Sequence, residues 1–321
     1  MQVSWRVRAL FFSVSSFLFL GNPILADVEL RKGTLAHFAS AQEGAEMLGR
    51  ADDYTSRMSE FDRSSRMKTG KPVSPEEFLK FVRQNVLAWT DSERATVEAA
   101  IAKVRPAVEA FPLTLPKRIS FIKTTGSEEG KAFYTRGTAI VFPEAELKLR
   151  KAAALEKVIA HETFHILSRQ NPALREALYN AIGFQKCAEV ELPSELRSRK
   201  ITNPDAPRND HSIRLRLDGE EVVAVPVLYS KSEKYDVVRG GEFFEYLRFE
   251  FLVRRKGDAG FTKLVPPAGV SGFFEQVGRN TNYVIHPEEI LAENFASLVF
   301  GEAKVASPEI LQRMRSLLMR Q

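Results

Sequence analysis

His161-Glu162-Thr163-Phe164-His165, inside the run Ala152 to Arg169, is the stretch on which the reading of the whole chain turns. The run is made of helix-forming residues and stops at Asn171-Pro172, so it predicts a helix. On a helix, positions four apart lie one turn apart on the same face, and both imidazoles can converge on one ion. Glu162 points near the same stripe without having to bind that ion. This is the H-E-x-x-H pattern, in which two histidines hold zinc and the glutamate takes a proton from water as it attacks a carbonyl. The flanks, Val158-Ile159-Ala160 and Ile166-Leu167, are uncharged. That suits a buried helix, since a solvated one would show charges there.

A catalytic zinc takes three protein ligands and keeps one position open. One route to the third ligand would need Gly at 168 and His at 171, but the chain has Ser168 and Asn171. Candidates farther on are Glu189, Glu191, Glu195, His211 and His286. The strongest segment runs from Tyr283 to Phe295, where Pro287 opens a second helix and Glu289 and Glu293 share one face of it. Ile290, Leu291 and Leu298 pull this helix inward, and a buried carboxylate needs a cation or hydrogen-bond donors. Zinc would satisfy one glutamate. The free N–H of a ligating imidazole would satisfy the other.

The pairing of H-E-x-x-H with this later E-x-x-A-E helix resembles the gluzincin branch of zinc metallopeptidases. Glu289-Ile290-Leu291-Ala292-Glu293-Asn294-Phe295 is particularly similar to the third-ligand helix of lethal-factor-type secreted proteases. The resemblance implies a zincin-like fold, zinc as cofactor, Glu289 as third ligand and Glu293 as its outer partner. It also implies a tyrosine facing the reacting carbonyl, and Tyr283 is the nearest equivalent. His286, where the chain turns into the same helix, is a second candidate for stabilising an oxyanion. By fold analogy, Thr138 to Phe142 would be the edge strand on which an extended peptide pairs. The likeness covers two short blocks, and 123 residues separate His165 from Glu289, more than gluzincins usually have. A β-hairpin insertion near residues 211–265 would account for the excess.

Outward from these blocks, the 321 residues are 44% hydrophobic and 27% charged, the composition of a folded chain. Arg6 and Arg8, the apolar run Ala9 to Leu20, Asn22-Pro23 and Ile24-Leu25-Ala26 follow the order of a secretory signal peptide. Residues 1–26 are therefore expected to be removed, leaving a periplasmic or secreted protein that starts near Asp27. No later segment reaches 18 uninterrupted apolar residues, so no integral membrane segment is expected. Cys187 is the only cysteine, which excludes an internal disulfide. The net charge of +5 is spread thinly and lacks the basic, aromatic-interleaved surface that nucleic acid requires.

Residues 27–112 read as a helical region, with capping boxes at Ser74-Pro75-Glu76-Glu77 and Thr90-Asp91-Ser92-Glu93. Residues 113–321 mix strands and helices without regular alternation, and the class is α+β. Ile213, Leu215 and Leu217 alternate with arginines, Asp218-Gly219 turns the chain, and Pro226 suggests an edge for the return strand. The expected activity is hydrolysis of peptide or protein substrates. The alternatives are a zinc amidase on a cell-wall amide, or a non-catalytic zinc- or partner-binding protein. Glu162 speaks against the last, because a structural site needs no general base.

Overall fold

The computed structural model describes residues 26–150 and 152–320. The signal segment expected at residues 1–26 lies outside them, apart from Ala26. The class is α+β. The chain opens with strands β1 (Val28–Arg31) and β2 (Thr34–Phe38), paired antiparallel across Lys32-Gly33. Gly33 has φ +84°, a left-handed turn conformation that glycine takes without a Cβ clash. Helices α1 (Ala41–Leu48), α2 (Glu60–Arg66) and α3 (Pro75–Gln84) follow, then the short β3 (Val86–Leu87) and α4 (Asp91–Glu109). The capping boxes read at Ser74 and Thr90 both form and start α3 and α4.

The helical reading of residues 27–112 therefore needs correction at its beginning. β1, β2 and β3 join β4 (Arg118–Thr124), β5 (Tyr134–Arg136) and β6 (Ala139–Pro143) in one sheet, ordered β1-β2-β4-β6-β5 with β3 beside β4. β2 runs parallel to β4, and β4 parallel to β6. Leu30, Ala36 and the buried face of α4 share one core with Ile119, Phe121 and Phe164. The boundary near residue 112 thus crosses a continuous core. Strands this short carry too few alternations for their period to stand out.

β5 is the outer strand of this sheet and β6 lies inside it, between β4 and β5. The edge position expected for Thr138 to Phe142 thus belongs to Tyr134–Arg136. After α5 (Glu144–Leu149) comes the central helix α6 (Ala152–Gln170), then α7 (Pro172–Ala181). α6 is buried on several sides: it packs against α4, α7, α10 and the first sheet. That burial explains its uncharged flanks.

A second sheet is antiparallel and five-stranded. It holds β7 (Phe184–Lys186) and, after the short α8 (Ser194–Arg197), β8 (His211–Leu217), β9 (Glu220–Ser230), β10 (Leu247–Arg255) and β11 (Lys263–Val265). The expected hairpin insertion is thus most of a sheet that begins before residue 211. β9 is interior, which corrects the edge placement suggested by Pro226. Pro226 lies past the last β8–β9 pair, Ile213 with Ala224, and its carbonyl accepts from Asn209 Nδ2. Its missing N–H therefore costs the ladder nothing. Helices α9 (Phe274–Val277), α10 (Pro287–Val299) and α11 (Pro308–Leu318) complete the chain. α10 lies against α6, with Phe164 and Phe295 in ring contact at 5.5 Å between centroids. No helix among the described residues is long and apolar enough to cross a membrane.

Candidate metal centre

α6 and α10 together bring the two sequence blocks into one place. The rings of His161 and His165 stand 4.8 Å apart at 80°, as four-residue helical spacing requires. Glu289 Oε2 lies 3.3 Å from His161 Nε2 and 3.6 Å from His165 Nε2. Ligands about 2.0–2.1 Å from a tetrahedral ion stand roughly 3.4 Å from one another, and both Glu289–histidine separations are close to that, with all three donor atoms within 4.8 Å of one another. Asn203 Nδ2 donates to Glu289 Oε1 at 2.6 Å, leaving Oε2 to face the histidines.

The other ring nitrogens are also engaged. Glu293 Oε1 stands 3.0 Å from His161 Nδ1, and Glu288 Oε1 stands 3.1 Å from His165 Nδ1. A carboxylate on Nδ1 fixes the tautomer that carries its lone pair on Nε2, which suits metal binding. His165 Nε2 and Glu162 Oε2 are buried and have no hydrogen-bond partner among the described residues. A buried polar atom without a partner is costly, and an ion between His161, His165 and Glu289 would satisfy the imidazole. The three residues can hold a metal ion.

The electrostatics of the metal-free chain show the same concentration of charge. Burial alone would lower the His165 imidazole, but the charges of Asp205 and Glu289 and the Glu288 hydrogen bond outweigh it and hold it at about 9. Burial, reinforced by Asp205, pushes Glu162 well above the usual carboxylate range. Glu289 goes the other way: despite burial, the two histidines and Asn203 hold it low.

Glu288 was not singled out by the sequence, yet it is 2% exposed and takes three hydrogen bonds. Besides His165, its partners are Ser168 Oγ at 2.8 Å and the Tyr179 hydroxyl at 2.5 Å. Adjacent glutamates at 288 and 289 look equivalent in sequence. The hundred-degree turn between them aims one at the ion position and the other behind His165. Asn203 and Asp205 were missed as well. They come from the loop between α8 and β8, and no spacing rule links that loop to α6.

Tyr283 lines a cavity of about 390 Å³ together with His161, Glu162, Asp205, Glu289 and Glu293. His286 does not share that cavity. It caps α10, with Nδ1 accepting the Glu288 N–H at 3.1 Å, and burial pulls it down to about 4. It lines a 360 Å³ cavity that His165 and Asp205 also line, so the structure does not bring it to the cavity of Glu162 and Tyr283, where the oxyanion role was expected. His211 begins β8, is buried, and meets Glu176 and Asp210. Glu189 pairs with Arg57, and Glu191 and Glu189 line a different surface hollow. None of the described alternatives to Glu289 reaches the histidine pair.

No family model, curated protein or solved structure matches the chain significantly.

Proposed function

We propose that this chain is an exported zinc-dependent hydrolase of zincin type, a peptidase in which His161, His165 and Glu289 hold the metal. The observation that supports it most is the convergence of three donors from two helices within 4.8 Å of one another, beside a buried glutamate that has an unpartnered oxygen. Zinc at this position would supply Lewis acidity toward water and toward a carbonyl oxygen. Glu162 accepts a proton from the attacking water and passes it to the leaving amine. Tyr283 stands across the same cavity, where its hydroxyl can donate to the oxygen that gains charge. Glu293 and Glu288 hold the two imidazoles in register.

The test separates metal binding from turnover. The zinc-loaded protein should cleave unfolded casein, stop when chelator is added, and resume when zinc is restored. Glu162→Gln should keep about one zinc per chain while turnover falls roughly a hundredfold or more, the usual contribution of a positioned base. Parental turnover in Glu162→Gln would refute this mechanism. A parent that binds no zinc would refute the whole reading.

A further inference from the structure

We propose that Asp205 is a positioning residue for the attacking water, which it holds jointly with Glu162; this rests on the zinc-hydrolase reading above. Asp205 lies on the loop between α8 and β8, where it crosses the cleft. One of its carboxylate oxygens, an oxygen of Glu162 and a nitrogen of His165 all lie within 4.8 Å of one another. The donor set His161, His165 and Glu289 meets this cluster at His165, which puts Asp205 and Glu162 together on one side of the ion position. It also lines both the cavity that holds His161, Glu162 and Tyr283 and the one that His165 lines.

The side chain is fixed before any substrate arrives. Asp205 Oδ1 accepts from the Thr135 N–H at 2.9 Å and from the Thr135 hydroxyl, with Arg169 Nη2 at 3.9 Å. Thr135 lies in the middle of β5, the outer strand, so the rigid sheet itself holds this carboxylate. All three contacts fall on Oδ1, which leaves Oδ2 for a further donor. The loop is tied down on both sides. Thr202 N–H donates to Asp62 Oδ2 at 2.9 Å, and Arg208 grips Asp53 at 2.9 and 3.0 Å.

Such anchoring argues against a removable plug. Withdrawing the loop would break these bonds and also the Asn203 contact that orients Glu289. A built-in part of the site is the better account. An attacking water has two hydrogens, and Glu162 removes only one. With a second fixed acceptor for the other hydrogen, the oxygen lone pair has a single direction, toward the carbonyl carbon. The water oxygen then bonds to that carbon, one proton passes through Glu162 to the leaving nitrogen as the C–N bond breaks, and the hydrogen held by Asp205 stays on the new carboxyl group until it dissociates.

Asp205→Asn is a discriminating variant. Its carbonyl oxygen can keep both Thr135 donors, which turns the amide nitrogen, a donor, toward the cleft in place of an acceptor. In the full-length mature chain, kcat should fall about a hundredfold, with KM, zinc affinity and melting temperature near the parental values. A second readout needs no turnover. Azide added to the cobalt-loaded protein competes for the water position and shifts the visible absorption. Removing a negative charge within about 5 Å should tighten azide binding at least tenfold.

Unchanged kcat with unchanged azide affinity would overturn the proposal. So would faster turnover, which would make the loop a plug, or a tenfold loss of zinc affinity, which would make Asp205 a ligand. A parent that takes up neither zinc nor cobalt is a different result, and it removes the hydrolase reading beneath this one.

Discussion

Glu288→Gln tests the part of the metal centre that the structure adds to the sequence reading. Glu288 takes the His165 Nδ1–H, the Ser168 hydroxyl and the Tyr179 hydroxyl while 2% exposed. Hydrogen bonds to a charged group contribute about 1.5–3 kcal/mol each, and neutral ones nearer 1 kcal/mol. Glutamine keeps the shape and one acceptor oxygen, but it removes the charge from all three bonds and sets an N–H₂ against a donor. The metal-free protein should therefore lose about 2–4 kcal/mol of stability, measured by urea unfolding. Freed from its carboxylate, His165 binds less firmly, and zinc affinity should fall about ten- to a hundredfold. That is about 1.4–2.7 kcal/mol, read by competition with a chromophoric chelator. Glu293→Gln gives the internal comparison: its side chain is 44% exposed, so water can replace the lost acceptor and the change should sit at the low end of that range. If Glu288→Gln bound zinc as tightly as the parent, Glu288 would be a core residue that does nothing for the metal.

Three further expectations follow from the same contacts. Glu289→Gln should release zinc under mild dialysis, while Glu293→Gln retains it; the reverse ranking in metal analysis would exchange their roles. In the metal-free chain, His165 at about 9 stands above its unfolded value of 6.5. Its contribution is complete below pH 6.5 and lost as pH rises through about 9, and the raised Glu162 acts in the same direction. Melting temperature without metal should therefore fall from pH 6.5 to 9, and the gain on adding zinc should grow over that interval; a flat profile would contradict it. Arg66→Ala leaves Asp62 and Glu129 as buried, unpaired carboxylates, so stability should drop about 3–5 kcal/mol and recover partly at pH 5, where a loss under 1 kcal/mol would refute the pairing.

The sequence was most informative where structure repeats locally. The capping boxes at Ser74 and Thr90 are written within four residues, and both form. α6 and α10 follow from helical composition and from proline at the first position of α10, and both lie where the sequence placed them. His161 and His165 had to share a face once that segment was helical, and Glu289 meets them because α10 had to bury its apolar side. β1 and β2 escaped notice because they are only 4 and 5 residues long, and β2 takes its second partner, β4, more than 75 residues later. Tyr134–Arg136 proved to be the outer strand for a similar reason, since sheet order is a choice among long-range pairings.

The sequence by itself determined which side chains can hold a metal, because helical periodicity fixes their direction to within a turn. Tertiary structure alone decided what surrounds them. Asn203 reaches Glu289 across 86 residues, and Glu288 reaches His165 across 123. Asp205 reaches Thr135 across 70 residues, and His286 caps α10 because the chain approaches that helix extended. None of these contacts has a sequence period. Each exists because two sheets and the helices α6 and α10 close on one core, where a buried polar atom must take whatever partner the packing brings to it.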